Sequence, residues 1–208
     1  MNFQIQDRSV IVLAEAFNPS MFNQHWLISN DILTEEEELS AAISTPQVSN
    51  FKSNEFSLLV LPNQLQFGVN PELKDKLPYD KLVKVLSKIG YAPITAIGIN
   101  FKWKQDTEGE AISKFTRTNY CSSSEGIFEN FAEKDAKFGL YISKDFGESR
   151  LRLNILPVKD KNGEEYIQYS FNFHHDLNKE TDFNRAIDLI TKWKSYFKEA
   201  NRIVDSFQ

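Results

Sequence analysis

The sequence predicts an α+β fold: antiparallel meanders with helices packed on one side, a long amphipathic C-terminal helix, and two similar halves. Three observations predict it. FSLLVLPNQLQFGV alternates apolar side chains on both sides of a Pro-Asn pair, the mark of a half-buried hairpin. RLRLNILPV and EEYIQYSFNFH repeat that pattern around DKNG. Residues 181–207 carry apolar side chains at three- and four-residue steps, the period of a helix with one buried stripe.

The elements follow in chain order. Ser9 to Phe17 (SVIVLAEAF) is short, apolar and rich in β-branched residues, which predicts a buried strand. Asn18 and Pro19 predict a helix start, with Asn as cap and Pro at the first position, where its missing N–H costs nothing. Phe22 and Trp26 then fall one turn apart on one face. A second start is predicted at TEEEEL, where Thr34 and Glu37 have capping-box spacing and the acids suit the helix dipole. The four-glutamate run is therefore read as a helix N-terminus with a solvated face, not as a cation site.

With Pro62 and Asn63 as central turn residues, Val60 faces Leu65, Leu58 faces Phe67 and Phe56 faces Val69, all on one face. Pro78 to Ile89 predicts an amphipathic helix through Leu82, Val83, Leu86 and Ile89, ended by Gly90. TAIGINFKW then alternates. Thr95, Ile97, Ile99, Phe101 and Trp103 share one face, and the small Ala96, Gly98 and Asn100 on the other predict close packing against it. Residues 105–136 are rich in Gly, Ser and charge, which predicts a linker or mobile loop around a short helix. A boundary near Gln105 to Glu110 divides the chain into an N-terminal half, 1–105, and a C-terminal half, 106–208, or the two run on as one continuous domain. FGLYIS, RLRLNILPV and EEYIQYSFNFH are the later strands. The last helix, Thr181 to Phe207, presents Phe183, Ile187, Ile190, Trp193, Phe197, Ala200 and Val204.

The DKNG turn fixes a register. A two-residue turn on Asn162 and Gly163 would set Leu151 opposite His174, mixing apolar with polar. A type I turn with Gly163 in the left-handed bulge position pairs Asp160 with Glu164 instead. Leu151 then faces Phe173, Leu153 faces Phe171, Ile155 faces Tyr169, Arg150 faces His174 and Arg152 faces Asn172.

FNFHHDL, residues 171–177, is the stretch that most resembles chemistry, because it holds two of the three histidines beside an aspartate. Strand neighbours point to opposite faces, so a regular strand cannot offer His174 and His175 to one metal. His25 falls on a distant helix, and zinc sites take three or four convergent ligands. The stretch is read as a strand-to-helix corner in which His175 turns inward and Asp176 orders the start of the helix. His174, His175 and Asp176 stand as the catalytic candidates; no residue is assigned to a metal or cofactor, and no cofactor is expected. The lone Cys121 and the serines after it lack the setting of an activated nucleophile, and the chain has no Gly-rich phosphate loop.

At 208 residues, with 17 phenylalanines, the chain can bury a substantial core. A formal net charge of −5 with a pI near 5.3, and lysines interleaved with acids, argue against a nucleic-acid binder. A single cysteine excludes an internal disulfide and predicts a reduced, cytoplasmic setting. The first residues show neither a charged leader nor a long apolar run, and no segment reads as membrane-spanning.

The order NPSMFNQHWL, FSLLVLPNQLQFGV, ITAIGINF, then FNFHHDL and a Trp-bearing final helix resembles uncharacterised bacterial proteins built of two α+β halves. The resemblance implies an α+β fold and a bacterial or phage source, and it assigns no catalytic residue. The functional expectation is a non-enzymatic binding or accessory protein acting through a protein partner or its own copies. The alternatives are a metal-assisted hydrolase using His174, His175 and Asp176, and a carrier with an apolar cavity between the sheet and the final helix.

Overall fold

The computed structural model describes residues 3–73, 77–90, 92–121, 130–177 and 183–207. In chain order these form β1 (Phe3–Ala14), a 3-10 turn (Pro19–Met21), α1 (Gln24–Ser29), β2 (Ala41–Ser44), β3 (Ser49–Lys52), β4 (Phe56–Leu61) and β5 (Gln64–Val69). There follow α2 (Tyr79–Lys88), β6 (Ile94–Gln105), α3 (Ile112–Tyr120), β7 (Leu140–Phe146), β8 (Ser149–Lys159), β9 (Glu165–Asp176), α4 (Phe183–Thr191) and α5 (Trp193–Asp205). All the strands join one nine-stranded sheet in the order β2-β3-β4-β5-β1-β6-β9-β8-β7. Every recorded pairing is antiparallel. The order strand, helix, meander, helix runs once over β1 to α2 and again over β6 to α5. The two runs meet where β1 pairs with β6, so both halves share one sheet.

Both hairpin registers match the side-chain alternation. Val60, Leu58 and Phe56 face Leu65, Phe67 and Val69. Leu151, Leu153 and Ile155 face Phe173, Phe171 and Tyr169, and Arg150 and Arg152 face His174 and Asn172. Gly163 sits at φ 88 and Asp160 donates its N–H to Glu164 O at 2.9 Å, the geometry of the bulged turn. Within β1 the register shifts between Ile5 and Asp7, so Phe3 and Ile5 turn toward the helices with Val10 and Val12.

One face of the sheet carries the core. Val10, Val12, Leu58, Leu65, Phe67, Ile97, Ile99, Phe101, Phe171 and Phe173 are buried beneath the helices, each such aliphatic or aromatic side chain contributing about 1.5–3 kcal/mol on burial. Phe197 of α5 lies 5.2 Å from the Phe101 ring and stacks on Trp103 at 5.9 Å, and Tyr196 packs 5.1 Å from Phe173.

Four local expectations differ from the structure. Strand β1 begins at Phe3 rather than Ser9, because its polar first residues pair with β6 while Phe3 and Ile5 pack inward. TEEEEL forms a turn: the Glu37 carboxylate accepts from the Thr34 N–H at 3.0 Å, as in a capping box, but also holds Lys81 of α2 at 2.8 Å. The Pro19 start gives a single 3-10 turn, and α1 begins after Asn23, whose side chain accepts from Trp26 N. The C-terminal helical segment is interrupted at Lys192, leaving α4 and α5 in sequence. Its first expected residues, Thr181 and Asp182, lie outside the described residues.

Candidate functional site: the uncovered face of the sheet

The face opposite the helices is bare among the described residues, and its side chains can be read strand by strand from the pairings. One row runs Ala41, Lys52, Ser57, Gly68, Ser9, Asn100, Asn172, Arg152, Ser143. The next runs Ile43, Asn50, Leu59, Gln66, Ile11, Gly98, His174, Arg150, Asp145. A shorter third row holds Leu61, Gln64, Leu13, Ala96 and Asp176. Strands β4 and β1 thus bring Leu59, Leu61, Ile11 and Leu13 to one side of the face. Strands β6, β9 and β8 bring Asn, His and Arg to the other.

The small face of β6 is part of this surface, and it is closely packed as its small residues predict, by a side chain and not by a further element. The space above Gly98 is taken by a side chain of the same sheet. Asn172 donates from Nδ2 to Asn100 Oδ1 at 2.7 Å, and Asn100 donates from Nδ2 to Gly98 O at 3.1 Å. A β-carbon on residue 98 would stand 2.8 Å from Asn172 Nδ2. At Gly68 a β-carbon would stand 2.7 Å from Ser57 Oγ. Gly68 opens onto a hollow of about 440 Å³, bordered by Asp7, Lys52, Ser57, Gln66 and Asn70.

Charges on the face are largely paired within it. Arg150 lies 2.8 Å from Asp145, Lys102 lies 3.9 Å from Asp7, and Lys104 lies 3.2 Å from Asp106. Arg152 and Lys52 make no salt bridge among the described residues. This mixed field differs from the basic stripe that tracks a phosphate backbone.

FNFHHDL divides as strand parity requires. His174 stands on the open face with Nε2 3.0 Å from Asp176 Oδ1. His175 is 4% exposed on the helix side, its ring edge-on to Tyr196 at 5.6 Å, and its Nε2 has no hydrogen-bond partner. Burial, and then the neighbouring His174, hold the His175 pKa below its ordinary value. His25 lies on α1, near Ser29. Among the described residues no three His, Cys, Asp or Glu side chains converge as a metal site. Cys121 caps the C-terminal end of α3, and the serines that follow it lie outside the described residues.

The open face itself escaped sequence reasoning. Alternation identifies two faces of each strand, but which face the helices cover follows from how all nine strands assemble. The one signal available was the run of small and polar residues on the second face of β6, Ala96, Gly98 and Asn100. No protein-family model matches the chain, and no curated protein matches it. No helix among the described residues is long and apolar enough to cross a membrane.

Proposed function

We propose that the chain is a non-enzymatic binding protein whose uncovered sheet face receives a protein partner. The observation that carries this reading is the face itself, nine strands wide among the described residues, where Leu59 and Leu61 of β4 and Ile11 and Leu13 of β1 flank Gln64 and Gln66 of β5, beside a hydrogen-bonding patch of Asn100, Asn172, Arg152 and His174. Leu13 is 37% exposed there. Apolar surface rimmed by polar groups favours protein contact, and directed amides and guanidinium groups supply specificity. The paired charges favour a protein over a nucleic acid. Two further observations weigh the same way: His174 and His175 point to opposite faces, and aromatic rings fill the layer between α5 and the sheet.

The test places a photo-reactive residue at Leu59, on the open face, and separately at exposed Lys198 on α5, in cells that make the chain. The expected result is a discrete crosslinked protein at Leu59 and none at Lys198. Equal crosslinking at both positions, none at either, or crosslinks to nucleic acid would overturn the reading.

A further inference from the structure

Strand β7 closes the sheet on the C-terminal side, and exposed apolar side chains gather there. Tyr141 is 63% exposed, Ile142 45%, and Leu156 on the adjoining β8 46%. Tyr141, opposite Asn154, points to the open face, whereas Ile142, opposite Leu153, points to the helix side. No body laid on one face of the sheet covers both, but a strand added to the edge does. The other edge strand, β2, is only four residues long, a common way of blunting an edge, and β7 has seven.

Among the described residues nothing pairs with the outer side of β7, and the backbone groups aimed there can be placed. Gly147 and Glu148 connect β7 to β8, with Gly147 at φ 58, as the first central position of a type II′ turn requires. A two-residue turn closes on a hydrogen-bonded pair, here Phe146 and Ser149, so alternation directs the backbone groups of Lys144, Ile142 and Leu140 to β8 as well. The N–H and C=O of Tyr141, Ser143 and Asp145 are therefore aimed away from the sheet.

We infer that this edge pairs with the same edge of a second copy, antiparallel about a two-fold axis through Ser143, joining two sheets into one. In this register all seven residues pair. Leu140 of one copy faces Phe146 of the other, Ile142 faces Lys144, Tyr141 faces Asp145, and the serines meet at the axis, so each outward group gains a bond. Charge permits it. The Lys144 ammonium lies 2.8 Å from Glu199 of α5 and the Asp145 carboxylate 2.8 Å from Arg150, so both charges that would meet the second copy are already paired within their own chain. An axis through Lys144 would set two ammonium groups opposite each other, and one through Ile142 would place Phe146 beyond the partner strand. Self-association at the edge uses backbone groups that the open face does not, so it can fail while the binding reading stands.

Sedimentation equilibrium of the full chain is the test. The wild type is expected as a dimer. Ser143→Pro removes an N–H that faces outward and breaks no bond within the chain, so it is expected to be monomeric with native circular dichroism. Ile142→Lys, which does not depend on proline being tolerated, is expected to weaken the dimer at least about tenfold. A wild type that stays monomeric up to roughly 1 mM, or a dimer equally tight in both variants, would overturn the inference.

Discussion

Asn172 and Asn100 are joined across strands β9 and β6 by a 2.7 Å hydrogen bond that lies directly over Gly98. The space above the glycine and the bond are therefore one feature. Gly98→Ala is expected to push the Asn172 carboxamide aside and forfeit that bond, a loss of about 1 kcal/mol. In an Asn172→Ala background the same substitution is expected to cost much less, and a double-mutant cycle in urea measures the coupling. Strict additivity would show that the two residues are independent.

Arg8 is expected to be the most sensitive charged position of the helix side. It is 4% exposed, and its Nη2 donates to the carbonyl oxygens of Asn70, Pro71 and Leu73 at 3.2, 2.9 and 2.5 Å. Burial lowers its pKa from the ordinary guanidinium value. Arg8→Met keeps the stem but strands these acceptors, so the urea midpoint is expected to fall by the equivalent of about 2–3 kcal/mol. A loss below about 0.5 kcal/mol, the scale of an ordinary surface change, would refute the buried clamp.

His175 sets a pH dependence whose sign follows from its surroundings. Its folded pKa is depressed by burial and by His174, so the unfolded chain binds the proton more readily. Its contribution to stability is whole above the unfolded pKa of about 6.5 and is lost progressively as pH falls toward the lower folded value. His175→Phe fills the same site without a titrating group, and it is expected to remove up to about 1.4 kcal/mol per pH unit of slope in that window. Unchanged slope in urea titrations between pH 7 and 5 would show that His175 is not its source.

Glu199 governs a separate, more acidic window. The hydrogen bond from Arg202, with help from Lys144, holds its carboxyl down to about 2. Its contribution is present above the unfolded carboxylate pKa and lost as pH falls toward the folded value. Because these pairs lie at the surface, Glu199→Gln is expected to cost only about 0.5–1 kcal/mol at pH 7 and nearly nothing at pH 2. Equal costs at both pH values would argue against the ion pairs.

Tyr169 donates its hydroxyl to Gln105 Oε1 at 2.6 Å and meets the Tyr120 hydroxyl at 2.6 Å. Burial and this pairing push its ionisation upward. Tyr169→Phe is expected to destabilise by about 1–3 kcal/mol, as buried polar atoms lose a partner, and thermal unfolding reads it. A neutral substitution would mean that water replaces the hydroxyl.

Register was the most legible part of the fold, because it follows from parity and turn chemistry that neighbouring residues carry themselves. The Asp160–Glu164 bulge and the division of His174 from His175 needed only Gly163 and alternation. Helix limits were less legible where a distant group competes. Glu37 carries a capping-box signal, yet its carboxylate also binds Lys81, and the segment remains a turn. Lys192 interrupts a stripe whose apolar spacing continues unbroken, so α4 and α5 read as one helix. The open face was hidden because Ile11, Leu13 and Leu59 resemble core residues in sequence, and only the assembled layers show that nothing described covers them.

The seam between β1 and β6 has a consequence for how the chain reaches this state. The hairpins β4–β5 and β8–β9 join sequence neighbours, whereas Phe3–Ala14 must wait for Ile94–Gln105 to be synthesised. Such distant ladders close late. During that wait an N-terminal half docked through β5 leaves the far edge of β1 unclaimed, open to β6 of another nascent chain. Crowding of nascent chains should thus raise the share of exchanged halves, and slow dilution should favour the single-chain fold.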